Sequence, residues 1–154
     1  MGDEYKTISN KSIGEGFYSE LKSKFLAFAH HVETIDEVKS VISQYRNDYY
    51  DARHVCYAYM LGAERAVFRA NDDGEPSSTG GKPILGQINA NELTDILVIV
   101  VRYYGGVNLG TSRLATAYRT AAALAIENSV VEQRLVEETF SFKFAYEQTK
   151  DIMK

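Results

Sequence analysis

The residues able to do chemistry cluster between Asn71 and Tyr118, in two loops rich in Gly, Ser and Thr. The first loop, NDDGEPSSTGGKP, holds Asp72, Asp73 and Glu75 close together and ends on Lys82-Pro83. Carboxylates so spaced can hold a hard cation such as Mg²⁺. They are also what a solvated turn contains, and that is the expected reading, with no metal. The second loop follows an apolar run and reads RYYGGVNLGTSRLATAY. A strand that ends in a Gly-rich turn at a helix N-terminus presents unpaired backbone N–H groups, which attract an anion. Arg102 then has two roles open to it. It faces a ligand anion beside that helix end, with Lys82 or Arg113 near, or it pairs with Asp72, Asp73 or Glu75 and fixes the loop. Tyr103 and Tyr104, next to Gly105 and Gly106, either stack on a base or sugar or pack into the core.

Other chemical motifs are weaker. His54 and Cys56 share one side of a strand, as a nucleophile and its base would, but no third orienting group is evident and Cys is usually buried. GEPSSTGGKP is not a phosphate-binding P-loop, because Pro76 and Pro83 stand where that pattern needs Gly and Ser or Thr. GGVNLG has Val107 in place of the second Gly of the dinucleotide fingerprint. His30 and His31 point to opposite faces of a strand and read as solvated or edge histidines.

The elements that position these residues can be read from periodicity. Ile96 to Tyr104 is a strand without alternation over its first residues, as expected where both faces are covered. Thr111 or Ser112 is expected to cap a helix reaching about Asn128, with Leu114, Ala117, Tyr118, Ala121, Leu124 and Ala125 buried. Tyr5–Ile8 and Glu15–Tyr18 read as short strands joined by SNKSIG. Ser23–Val32 is a clearer strand. Thr34 and Glu37 form a capping box for a helix whose apolar stripe runs from Ile35 to Tyr49. Residues 54–61 and 64–70 make a hairpin around Gly62-Ala63, and Pro83 opens a short helix over Ile84–Ile88. Phe140, Phe142, Phe144 and Tyr146 alternate with smaller or polar residues, as on a strand. The last twenty residues therefore read as the opening of a second domain.

Composition sets broad bounds. The 154 residues suffice for one domain that needs neither disulfides nor metal to fold. A net charge of −4 argues against nucleic acid gripped over the whole surface, while leaving room for a local basic patch. Cys56 is the only cysteine, so an intrachain disulfide or a Cys-based zinc site is excluded. The N-terminus lacks the apolar core of a signal peptide, and the expected location is the cytoplasm, away from membranes.

DDGEP and RYYGG carry a resemblance. The chain resembles the IMPACT family, including its bacterial branch often labelled YigZ. The matching residues are Ser23-Lys24-Phe25, Ala52-Arg53-His54, Asp72-Asp73-Gly74-Glu75-Pro76, Thr79, Gly81 to Pro83, Val100 to Gly106, Leu109 to Thr111, Leu114 and Ala117-Tyr118. Ser112-Arg113 stands where the family pattern has two Gly, adding side chains and a positive charge. The resemblance implies an α/β fold, an α+β two-layer sandwich similar to the second domain of a small-subunit ribosomal protein, with a mixed sheet and helices on one face. It implies a family domain over residues 1–132 and the start of a truncated ferredoxin-like domain over 133–154. The function expected is a non-enzymatic module linked to translation regulation. Its partners would be RNA, the ribosome or a translation-associated protein, with a homodimer as a further candidate and no cofactor. The competing readings are a hydrolase-type enzyme for a small phosphate-bearing substrate, and a protein-interaction module whose motifs only hold the loops.

Overall fold

The computed structural model describes residues 4–136. The expected strand at Phe140–Tyr146 lies outside them. Among the described residues seven strands and three helices follow one another as β1 (Glu4–Ile8), β2 (Gly14–Glu20), β3 (Ser23–His31), α1 (Ile35–Asp48), β4 (His54–Leu61), β5 (Val67–Asn71), α2 (Gly81–Ala90), β6 (Ile96–Tyr103), α3 (Gly110–Glu127) and β7 (Val131–Leu135). Among the described residues no helix is long and apolar enough to cross a membrane.

β6 is the strand around which the others are arranged. The main sheet has the order β2-β3-β6-β4-β5, so β6 lies in its middle, and Ile96 to Val101 are buried. Both side-chain sets of β6 are apolar because both faces of the sheet are covered. Ile96, Val98 and Val100 pack with Ile84, Ile88, Leu114, Tyr118 and Ala121 of α2 and α3. Leu97, Ile99 and Val101 pack with Val38 and Ile42 of α1.

The α/β class is as expected, but three details of the architecture differ. Every pairing in the main sheet is antiparallel, so the sheet is not mixed. The chain leaves β3, crosses through α1 and returns in β4, and β6 is then inserted between them, antiparallel to each. Nor do the helices share one face: α1 lies on one side, α2 and α3 on the other. β1 and β2 are not hairpin partners, since β1 pairs with β7 and β2 with β3. In the β1–β7 ladder Lys6, Tyr5 and Glu4 face Gln133, Arg134 and Leu135.

Local signals explain most element ends. Thr34 accepts the N–H of Glu37, and the Glu37 carboxylate accepts the N–H of Glu33, one residue before the box position expected. β5 starts three residues later than expected, because Arg65 stays in the turn and donates to the Leu93 carbonyl and to Asn89. α2 begins at Gly81, placing Pro83 third in the helix, and its first turn is capped from a distant loop. α3 begins at Gly110, and among the described residues no side chain caps it. Thr111 and Ser112, the expected caps, instead sit exposed in its first turn.

Candidate functional site

The three acids of the first loop do three different jobs. The Asp72 carboxylate accepts the N–H groups of Ser78, Gly80 and Gly81, so it caps α2 from outside the helix. The anion that this helix end attracts is thus the chain's own. Asp73 turns the other way, accepting the Val55 N–H at 2.7 Å and the Arg46 guanidinium at 3.1 Å. Glu75 points inward with a side chain only 2% exposed. The loop is not a solvated acidic turn, and its carboxylates diverge. Among the described residues no three His, Cys, Asp or Glu side chains converge as metal ligands would.

Glu75 is the hub of a buried polar cluster. Arg102 Nη1 donates to both of its oxygens at 2.9 Å, and the Tyr118 hydroxyl donates to Oε2. His54 Nε2 lies 3.5 Å from Oε1. His54 Nδ1 sits 2.7 Å from the Asp73 carbonyl, which can only accept, so that nitrogen carries a proton. The register produces this meeting: Arg102 stands opposite Phe25 on one side and His54 on the other, all directed toward α3. Arg102 Nη2 reaches Ser23 Oγ, which also accepts the Gly105 N–H. Among the described residues Arg102 Nε is buried without a partner, a cost of about 1–3 kcal/mol that the charge-assisted bonds from Nη1 to Glu75 offset.

Above this cluster opens a cleft of about 260 Å³ between the first loop and the start of α3. His54, Gly74, Glu75, Pro76 and Arg102 form its inner wall, and Tyr104 with residues 108–111 forms the outer one. The exposed Arg53 joins them, its guanidinium 4.5 Å from the centre of the Tyr104 ring. The Tyr104 hydroxyl donates to Asn108, 3.2 Å away. With α3 uncapped, the backbone N–H groups of its first turn and the positive end of its dipole border the same space.

Not every expected site residue lies there. Tyr103 is on the opposite face, packed toward α1 with its hydroxyl donating to Asp51, because successive strand residues alternate. Burial, then that hydrogen bond, pushes its hydroxyl up to about 12. Lys82 and Arg113 are exposed on α2 and α3 and do not line the cleft. Tyr118 and Thr79 are buried supports, Thr79 donating to the Pro76 carbonyl at 2.6 Å. Gly105 serves packing: a Cβ there would fall 2.1 Å from the Lys22 backbone. Gly106 is needed for its backbone angle, φ +91°. His54 and Cys56 form no dyad. The Cys56 thiol donates to the Asp72 carbonyl, and burial pushes its pKa well up. His30 and His31 are not solvated edge residues either, since His30 bonds Tyr45 and His31 bonds both Thr7 and Glu33.

Sequence reading missed Arg53, Asn108 and Ser23 as parts of the site. Arg53 had a signal, since it precedes the strand that starts at His54. Ser23 stands in the motif that carries the family resemblance, but its role there was hidden because its partner comes from a strand about eighty residues away.

The Impact N-terminal domain family model matches residues 21–126. IMPACT family member YvyE of Bacillus subtilis is 35% identical over 88% of this chain and 62% of its own length. IMPACT family member YigZ of Escherichia coli is 32% identical over 85% and 65%. The chain therefore spans less than two thirds of these relatives. Among solved structures, the two-domain translational regulator Yih1 shares the fold with a TM-score of 0.50 and 20% identity, over 80% of this chain and 49% of that one.

Proposed function

The chain belongs to the IMPACT family, and from that premise we propose that it is a non-enzymatic binding module linked to translation. Its cleft takes an anionic group of the partner, with an RNA backbone phosphate as the leading candidate. The link to translation is supported by Yih1, a translational regulator with the same fold. The observation that carries the site is the convergence of Arg53, Tyr104 and the uncapped start of α3 on one opening. Arg53 supplies a charge that the buried Glu75 does not neutralise, and the Tyr104 ring holds that guanidinium at the mouth of the cleft. Glu75 and Arg102 compensate each other underneath, which supports a positioning role for that pair. The burial of the Cys56 thiol and its bond to the Asp72 carbonyl support binding over catalysis. The module acts in the cytoplasm in this reading.

The test is fluorescence anisotropy with a dye-labelled single-stranded RNA at two salt concentrations. Arg53→Ala is expected to weaken binding about tenfold, the loss of one charge-assisted contact. Its salt dependence should become shallower while thermal stability stays unchanged. No RNA binding by the unaltered chain at low salt would sink the RNA assignment. Equal binding by Arg53→Ala would sink the site.

A further inference from the structure

The described residues cover the sheet face turned away from the cleft incompletely. On the cleft side α3 packs on β2 and β3, and α2 on β4 and β5. On the other side α1 is the only helix among the described residues, and its apolar residues pack over β3, β6 and β4. Packed helices lie about 8–10 Å apart, roughly two strand spacings, so a five-stranded sheet leaves space for a second helix beside α1. That space lies over β2. Phe17 there is 56% exposed, and Ile13 and Leu21, four residues to either side, are also exposed. Leu26 and Phe28 of β3 form the floor, Tyr45 and Tyr49 of α1 form the far wall, and at its near end the groove reaches round the β2 edge to Leu124 and Asn128 of α3. Two adjoining cavities of about 380 and 480 Å³ run along this groove.

The groove has a charge as well as a shape. Its ionisable wall groups are the exposed carboxylates of Glu15 and Asp48, and neither cavity is lined by Lys or Arg among the described residues. Lys24, opposite Ser19, and Lys11, in the loop before β2, stand only at its ends. His30 faces the groove with its pKa lowered by burial, which favours the neutral ring. The aromatic rings and the two carboxylates both favour a cation over their centre. An extended peptide added to the free edge of β2 meets an obstacle, because Asn128 already donates to the Glu15 carbonyl there at 2.7 Å.

We propose that this groove docks an amphipathic helix of a protein partner. The helix lays an apolar stripe on Phe17 and Phe28 and sets Lys or Arg residues against Glu15 and Asp48. This mode of recognition needs apolar anchors at helical spacing and basic flanks. It is independent of the anion cleft, on the opposite face.

A displayed library of random peptides about 16 residues long, some four helical turns, tests it directly. The library is selected on the full chain and counter-selected on Phe17→Glu. Enriched peptides should show apolar residues at helical spacing with a net positive charge. Their affinity should fall at least about tenfold on Phe17→Glu and on the charge reversals Glu15→Lys and Asp48→Lys. All three positions are exposed, so melting temperatures should hold. No enrichment, enrichment of acidic or Pro-rich sequences, or affinities unchanged by the three variants would overturn the proposal. So would a dimer in sedimentation that Phe17→Glu converts to monomer, which makes a second copy the occupant. Selection succeeding only with a chain ended at Val136 would hand the groove to residues 137–154 and overturn it too.

Discussion

Arg102 is the residue on which the two loops and the central strand meet. Its guanidinium holds Glu75, touches Ser23 and lies 5.6 Å from the Phe25 ring centre, so removing it leaves a carboxylate buried without its cation. Arg102→Ala should cost roughly 3–5 kcal/mol in urea unfolding. Adding Glu75→Gln to that variant should recover part of the loss, since the group left behind is then neutral; further destabilisation would contradict the pairing. Tyr118→Phe removes one hydrogen bond to the same carboxylate and should cost about 1–3 kcal/mol. His30 gives a pH signature. Burial lowers its pKa, so the folded chain binds fewer protons than the unfolded one below the ordinary value of about 6.5. Stability from this group is complete above that pH and declines as pH falls from there through the folded pKa. An NMR titration should place the His30 midpoint below that of a free imidazole, and His30→Gln should flatten this part of the stability profile.

At the scale of elements, the helix starts carry the contrast. α2 is capped by Asp72 and α3 by no side chain, so one N-terminus is a finished structural joint and the other is open toward the cleft. Asp72→Ala should destabilise by about 2 kcal/mol, the upper end for a lost cap, because three N–H groups lose their acceptor. The two glycines after β6 should behave differently from each other. Gly105→Ala forces backbone against Lys22 and should cost more than about 3 kcal/mol, in the range reserved for severe steric conflicts. Gly106→Ala enters open space and meets only the left-handed backbone penalty of about 1–2 kcal/mol. Denaturant midpoints of both variants check the order. Equal losses would mean that the Gly105 contact yields easily.

For the whole molecule, β1 and β7 bring the two ends of the described chain together beside the main sheet. Thr94 N–H donates to Lys6, Ser9 N–H to Val130, and Thr7 reaches Asp95, while Ile8 is buried in the α2–α3 core. Ile8→Ala should therefore cost about 2–4 kcal/mol, as for a core residue. Amide exchange should rank the layers. The β6 amides should open only with global unfolding, and those of the outer faces of β1 and β7 should exchange at lower cost. Uniform protection across both sheets would show that the small sheet is as firmly held as the large one.

Within short windows the sequence by itself determined most element types and the identity of the working loops. Periods of two and 3.6, the Thr34–Glu37 box and the glycines after β6 are encoded by neighbours a few positions apart. It also carried the motif that marks the family, and it put Arg102 and Glu75 among each other's candidate partners. Only the tertiary structure decided which carboxylate Arg102 takes, since Asp72, Asp73 and Glu75 are near neighbours in sequence and diverge only once Val55, Gly81 and Arg102 offer themselves from separate elements. The insertion of β6 between β3 and β4 did the rest. It set which side of the sheet faces α3, and so sent Tyr104 to the cleft and Tyr103 to α1. Strand order and register are long-range choices made by burying whole faces at once, and no local pattern records them.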